Sequence, residues 1–222
     1  MIPLRDSQRS NSTPVITIGL IVVNVLAFLY QTSLDRFSLN HVIMEYGVVP
    51  SRLQLTSLVT SMFLHGGWMH LIGNMWFLWI YGDNVEDILG HAKYLIFYLA
   101  CGVAAALAHV ALNGDSRVPT IGASGAIAGV MGAYMVKFPR ARIITLIFLF
   151  VFVTTIEIPA YAILLYWFVI QIFSGVGSIG YSQISQGGVA WFAHVGGFVT
   201  GIVLVMLMGT REPYRLHREL HW

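Results

Sequence analysis

Residues 122–136 read GASGAIAGVMGAYMV, and residues 191–207 read WFAHVGGFVTGIVLVML. Both stretches are apolar enough for membrane helices, and each carries a reactive polar side chain near its start, Ser124 in the first and His194 in the second. Polar side chains inside a membrane span are costly and indicate a functional site. Because a serine hydroxyl needs an adjacent base to become a nucleophile, the two stretches together predict a hydrolytic site within the bilayer.

The composition excludes an ordinary soluble domain. Of the 222 residues, 57% are hydrophobic and only 10% are charged, which predicts an integral membrane protein in contact with a lipid bilayer. The formal net charge is +2, and the basic residues are spread over short loops and tails. Their distribution carries topological information and gives no reason to expect a nucleic-acid partner.

Apolar windows predict an all-α membrane protein with six transmembrane helices. We expect one domain over residues 1–222, with short cytoplasmic tails at 1–14 and 210–222. The predicted spans are residues 15–30, 67–81, 94–112, 123–136, 160–173 and 191–208.

Residues 143–158 are also apolar, but threonines, Glu157 and Pro159 interrupt or end the run. A seventh crossing there would place Ser124 and His194 on opposite sides of the membrane. We therefore interpret this segment as lying at the membrane surface.

The distribution of basic residues predicts how the six spans are oriented in the membrane. Nine of the twelve Lys and Arg residues fall on the side of the termini and three on the other side. Since cytoplasmic loops are enriched in Lys and Arg, both termini are expected in the cytoplasm. The ends that carry Ser124 and His194 then face outward.

Ser124 and His194 each have a simpler interpretation when taken alone. Ser124 could cap its helix, and His194 could hydrogen-bond to a neighbouring helix. Glycines four residues apart, which allow helices to pack closely, occur on both stretches and would also be explained by packing alone. These glycines are Gly125 and Gly129 on the first stretch and Gly197 and Gly201 on the second. All these features together favour contact between the serine and the histidine.

No acidic residue lies in either of these spans, so we infer a Ser-His dyad without a carboxylate. His70 and Asn74 are four residues apart and share a helix face, where their donors suit a substrate oxyanion. A zinc site is the alternative, but the sequence has no His-Glu-x-x-His motif, and we expect no metal. The nearby His65 is expected to tie the first long loop to this helix.

With these motifs in this order, the chain resembles the rhomboid intramembrane serine proteases over nearly its whole length. The resemblance rests on His65, His70 and Asn74, on Gly122-Ala123-Ser124-Gly125, and on Ala193-His194 with Gly197 and Gly201.

The resemblance implies a rhomboid-like six-helix bundle with Ser124 as nucleophile and His194 as general base and acid. It implies an oxyanion hole from Asn74, His70 and the Ser124 N–H, no cofactor, and transmembrane protein substrates cleaved in or near their spans. It also suggests a bacterial cytoplasmic membrane, with the fifth span and residues 175–188 as a gate. Ala128 stands where some members carry a tyrosine that packs on the histidine, which leaves open what holds His194.

Two other functions compete with this one. The first is a catalytically silent rhomboid-like protein that binds membrane segments, against which the joint presence of Ser124, His194 and Asn74 argues. The second is a small transporter, which predicts inverted repeats that the sequence does not display.

Overall fold

Six long helices form the frame of the molecule. The computed structural model describes residues 2–149, 152–178 and 190–211. The bounds of the helices match the six predicted spans to within a few residues, except that the second span extends eight residues further. The helices are α1 (Val15–Ser33), α4 (Trp68–Leu89), α5 (His91–Leu112), α6 (Ser124–Lys137), α7 (Ala160–Ser178) and α8 (Trp191–Leu207).

Helix α6 lies at the centre of the bundle. Residues 125–134 are all buried, because α4, α5, α7 and α8 all pack against this helix. A helix that is apolar on every face belongs in such a surrounded position. Among the described residues, α1 and α5 are long and apolar enough by themselves to cross a membrane. The predicted all-α membrane bundle is confirmed as the main architecture.

The connection between α1 and α4 contains short helices that pack beside the bundle. They are α2 (Arg36–Tyr46), α3 (Ser57–Thr60) and two 3-10 turns, Pro50–Arg52 and Ser61–Phe63. An isolated antiparallel bridge between Val48 and Thr120 ties this connection to the loop before α6. His109 of α5 supports the same loop, since its Nε2 lies 2.9 Å from the Thr120 hydroxyl.

A three-stranded antiparallel sheet, which the sequence interpretation did not include, accompanies the helices. Its strands are β1 (Ile2–Asp6), β2 (Arg142–Leu149) and β3 (Phe152–Pro159), in the order β1-β2-β3. The segment expected at the membrane surface is thus a hairpin. Ile143 and Thr145 are buried on one face of β2, with the alternation of a half-buried strand, and its β-branched residues suit a pleated surface.

Carboxylates of α4 hold the chain where it enters α1. Glu86 is fully buried, and its oxygens accept hydrogen bonds from the backbone N–H groups of Ile16 and Thr17, both at 2.8 Å. The Thr17 hydroxyl also donates to Glu86, at 2.7 Å. The first N–H groups of a helix lack partners within the helix, so Glu86 caps α1 from another helix.

The first and the last described residues of the chain lie at the end of the bundle that contains Glu86. The Ser12 N–H donates to Asp87 at 3.0 Å, and the Lys137 ammonium donates to the Thr210 hydroxyl, also at 3.0 Å. Residues 2–12 and 208–211 therefore meet the ends of α4 and α6. The starts of α6 and α8 lie at the opposite end, as the predicted number of crossings requires. Residues 212–222, most of the predicted C-terminal tail, lie outside the described residues.

Candidate active site

A sharp turn presents Ser124 at the start of α6. Gly122 has φ of +125°, a conformation that L side chains rarely adopt, and its N–H donates to the Ser61 carbonyl at 2.9 Å. The helix N-cap position is occupied by Ala123, and no side chain caps this helix. Helix capping by Ser124, the simpler interpretation of this residue, is therefore wrong.

The Ser124 hydroxyl instead faces His194, which lies in the first turn of α8. Its oxygen is 2.8 Å from His194 Nε2, the distance of a good hydrogen bond. His194 is only 8% exposed, so the pair is largely shielded from solvent. The structure thus brings together the two residues that the sequence singled out, across 70 positions of the chain.

Close packing of α6 on α8 brings these two side chains together. A Cβ atom added to Gly197 would lie 2.0 Å from the Gly125 carbonyl oxygen, and one added to Gly201 would lie 2.0 Å from that of Gly129. The four predicted glycines therefore face each other across the interface. Any larger residue would push the two helices apart.

His70 and Asn74 converge on the same turn from α4. A Cβ built on Gly122 would lie 2.7 Å from His70 Nε2 and 3.7 Å from Asn74 Nδ2. Asn74 Nδ2 is buried and has no hydrogen-bond partner among the described residues. His70 Nδ1 accepts the Gly66 N–H at 3.3 Å, which leaves the proton of the neutral ring on Nε2. Two donors therefore point toward the turn that carries Ser124.

His65 joins the long connection to two helices, to α1 through its backbone and to α4 through its ring. Its backbone N–H and carbonyl pair with the side-chain amide of Gln31, at 2.9 and 3.1 Å, so it ties the connection to α1. Its ring nitrogens are buried without hydrogen-bond partners in the described part of the chain. The ring packs edge-on against His70, with centroids 5.1 Å apart.

Two residues of α7 that sequence analysis missed contact His194. Gln171 Oε1 lies 2.7 Å from His194 Nδ1, and the Trp167 ring lies 5.7 Å from the imidazole at an interplanar angle of 38°. The expectation of a dyad rested on the absence of acidic residues from the two spans. The informative signal was available, because Gln171 is a polar residue in the otherwise apolar fifth span.

Ser124, His194, His70, Asn74 and Trp167 line a cavity of about 810 Å³. The described residues that line it include three histidines but no acidic or basic side chain of the Asp, Glu, Lys or Arg types. In the described ranges, no group of three or more His, Cys, Asp or Glu residues is arranged to hold a metal ion. What the cavity offers chemically is a hydroxyl beside an imidazole, with free hydrogen-bond donors close by.

The chain matches a known protein family over most of its length. The model of the Rhomboid domain matches residues 52–211, most of the chain. The chain belongs to the rhomboid family. The matched region contains the three helices, α4, α6 and α8, that carry Ser124, His194, His70 and Asn74.

Several rhomboid relatives match over shorter parts of their own length. The mitochondrial presenilin-associated rhomboid-like protein of Rattus norvegicus is 30% identical over 161 residues, 68% of this chain and 39% of that protein. The mitochondrial rhomboid protein 1 of Saccharomyces cerevisiae is 31% identical over 140 residues, 59% of this chain and 38% of its own. Rhomboid protease GluP of Bacillus subtilis is 32% identical over 130 residues, 56% and 25% of the two chains. The chain spans about two fifths or less of these relatives.

Rhomboid membership makes this chain a membrane protein of a family that includes proteases such as GluP. Two of the three relatives described above are mitochondrial by name and one is bacterial. These comparisons therefore do not support the expectation of a bacterial membrane in particular.

Proposed function

We propose that this rhomboid protein is an intramembrane serine endopeptidase that cleaves peptide bonds in or near the transmembrane segments of membrane proteins. The observation that carries the proposal is the 2.8 Å contact between the Ser124 hydroxyl and His194 Nε2. A hydroxyl is a weak nucleophile until a base can take its proton, and this contact supplies the base. Membership of a family that contains a named protease supports the same conclusion.

Acylation begins when Ser124 Oγ attacks the carbonyl carbon of the scissile bond while its proton passes to His194 Nε2. The resulting tetrahedral intermediate collapses as Nε2 returns the proton to the leaving nitrogen and the C–N bond breaks. An acyl-enzyme on Ser124 remains. A water molecule then repeats the sequence: His194 takes its proton, the ester is hydrolysed, and the proton returns to Ser124.

The negative charge of the tetrahedral oxygen is stabilised by donors that surround the Gly122 turn. Asn74 Nδ2–H and His70 Nε2–H are both aimed there, and Asn74 has no other described partner for this hydrogen. The N–H of Ser124 itself starts a helix and has no intrahelical acceptor. Donors fixed in place before the reaction are the most effective form of such stabilisation.

Substrate choice follows from the hydrogen bonds of a membrane helix. A stable transmembrane helix bonds all its carbonyls internally, so a scissile carbonyl must first be released. Spans with glycine, proline or polar residues near the outer surface unwind more easily and are the favoured substrates. Cleavage mapping on single-span proteins that differ only in such residues tests this preference.

Access to Ser124 is proposed to pass beside α7, which lines the cavity with Trp167. Part of the gate expected from the sequence, residues 179–188, lies outside the described residues. Crosslinking α7 to a neighbouring helix should stop cleavage of a transmembrane substrate. Undiminished turnover after quantitative crosslinking would exclude α7 as the gate.

The proposed orientation places both termini in the cytoplasm and opens the site to the outer side. It is supported by the position of residues 2–12 and 208–211 at the end opposite Ser124 and by the nine-to-three distribution of basic residues. Protease-accessible tags at each terminus of the membrane-inserted chain test it.

Labelling with a fluorophosphonate, which reacts with activated serines, tests the protease function directly. The native chain should be labelled and should cleave a single-span substrate in proteoliposomes, and Ser124→Ala should do neither. Ser57→Ala is the matched control, because it removes a buried hydroxyl that bonds the Gln54 carbonyl at 2.7 Å. A correctly folded native chain that binds transmembrane segments without being labelled would instead establish the silent binding protein.

A further inference from the structure

We propose that Gln171 is the residue that positions His194 for catalysis, so that the working unit is a Ser-His-Gln triad. The inference rests on the proposed protease function and adds a third member to its site. Gln171 does not touch the reacting atoms and acts through His194 alone.

Hydrogen-bond chemistry fixes the direction of each bond in this chain of three residues. His194 Nε2 can accept the Ser124 proton only if the proton of the neutral imidazole is on Nδ1. Nδ1 is 2.7 Å from Gln171 Oε1, and an amide oxygen only accepts hydrogen bonds. Gln171 therefore favours the one tautomer in which the imidazole is a base toward Ser124. The opposite amide orientation would place a donor against Nδ1 and the ring proton on Nε2.

Burial protects the contact between Gln171 and His194 from water. Gln171 is 5% exposed and His194 is 8% exposed, so water competes poorly for either partner. A buried amide that lost its partner would keep its desolvation cost, which favours the bonded arrangement. The geometry consequently holds the imidazole in one tautomer and one orientation before a substrate arrives.

Gln171 works together with Trp167, which lies one helical turn earlier on α7. The Trp167 ring lies beside the imidazole, tilted by 38°, and Trp191 approaches it edge-on with centroids 6.4 Å apart. Ala128, fully buried on α6, offers no aromatic ring at the position where some rhomboids carry a tyrosine. In this chain, side chains of α7 contact His194 in place of an aromatic ring at position 128.

A neutral acceptor suits this cavity better than a carboxylate would. The other titratable side chains that line it, among the described residues, are His70 from α4 and His109 from α5. An aspartate or glutamate would be a buried charge without a permanent partner, which is costly. The amide orients the ring without that charge, and it stabilises the protonated imidazole less than a carboxylate would.

The test measures kcat and KM from pH 4 to pH 9 for the full chain in proteoliposomes, with fluorophosphonate labelling in parallel. Gln171→Leu should lower kcat on the order of 100-fold with little change in KM, the size expected for a misplaced general base. Gln171→Glu should restore much of the rate at high pH. Its acidic limb should move to higher pH, because the carboxylate stabilises the protonated imidazole.

Gln31→Leu is the matched control for a purely structural effect. Gln31 is also a buried glutamine bonded to a histidine, but through the histidine backbone and outside the cavity. This substitution should lower thermal stability while leaving kcat and the pH profile unchanged.

The outcomes separate this inference from the proposed function. A labelled native chain together with a Gln171→Leu variant of native rate and pH profile would overturn the positioning role alone. An unlabelled native chain would overturn the protease function itself. Should Gln171→Leu fail to fold, nitrogen-15 NMR of the histidines in the native chain decides: a neutral His194 with its proton on Nε2 contradicts the proposal, and one with its proton on Nδ1 supports it.

Discussion

The carboxylates at one end of the bundle and Asn74 at the other differ in their hydrogen bonding. At the Glu86 end, defined by Asp6, Asp83, Glu86 and Asp87, each carboxylate accepts hydrogen bonds from neighbouring backbone or side-chain groups. At the Ser124 end, Asn74 Nδ2 is buried without a described partner. An unpaired buried donor costs about 1–3 kcal/mol, so a stable fold rarely retains one without a function. The difference indicates that the carboxylates at one end stabilise the fold, whereas Asn74 at the other end keeps a donor available for a ligand.

Asn74→Ala is the strongest test of this difference. Loss of the free donor should lower kcat about 10²- to 10³-fold, as removal of one oxyanion-hole donor does, with little loss of stability. Steady-state kinetics and thermal unfolding in the same detergent measure both effects. Asn24→Ala is the control, because Asn24 is buried in α1 and its side-chain amide donates to the Leu20 carbonyl of the same helix. A destabilised Asn74→Ala variant with native kcat would assign Asn74 to packing instead.

Gly201→Ala should damage the Ser124 end through the helix interface. Its Cβ would lie 2.0 Å from the Gly129 carbonyl oxygen, so α8 must move away from α6. A displacement near 1 Å costs about 10² in rate, and such overpacking costs about 1–3 kcal/mol of stability. Gly19→Ala on α1 is the control, because a Cβ there meets nothing within 4 Å. Native kinetics for Gly201→Ala would mean that close packing of these helices is not required for activity.

Glu86→Gln should act on stability rather than on turnover. In glutamine one of the two oxygens becomes an NH2 group, which would face the N–H of either Ile16 or Thr17, because each of these now bonds to a different carboxylate oxygen. Loss of a charged hydrogen bond of this kind costs about 1–3 kcal/mol, and equilibrium unfolding should measure it. Asp35→Asn, at the exposed cap of α2, should have a smaller effect. A large fall in kcat at temperatures where Glu86→Gln remains folded would break the separation between the two ends.

Asp6→Asn should leave turnover unchanged and alter only the pH dependence of the N-terminal strand. Burial raises the pKa of Asp6 from 3.8 to about 7, against the hydrogen bond donated by Tyr134. While β1 is attached to the bundle, the Asp6 carboxyl therefore stays protonated between about pH 4 and 7, a range in which it ionises once the strand is detached. The attachment of β1 to the bundle should be most stable below about pH 4 and should weaken as the pH rises to about 7.

Hydrogen exchange of residues 2–6, corrected for the intrinsic pH dependence, measures this attachment. The Asp6→Asn variant should lose the pH dependence of protection between about pH 4 and 7. Equal protection of the native strand across that range would show that Asp6 titrates normally in the folded protein.

The sequence predicted the helices and the Ser124 contact because both leave local patterns. Apolar runs located all six spans, and glycines four residues apart marked the faces of α6 and α8 that meet. His70 and Asn74 could be placed on one face by their spacing alone. Their convergence on Gly122 required the structure.

Two features were not predicted, because their roles depend on tertiary pairing. The run from Ile143 to Leu149 suits a helix or a strand equally by composition, and only its pairing with residues 2–6 and 152–159 selects the strand. Gln171 belongs to no motif, and its partner lies 23 positions away on another helix. A search over amide as well as acidic partners would have included it.

The pairing of β1 with β2 also constrains the order of biosynthesis. Ile2 pairs with Leu146 and Asp6 with Ile143, so the N-terminal strand has no partner until the ribosome has passed residue 142. At about 5–20 residues per second, that interval is about 7–30 seconds, during which α1, α4, α5 and α6 are synthesised. Protection of the first residues in a nascent chain would therefore report that four of the six long helices have already been translated.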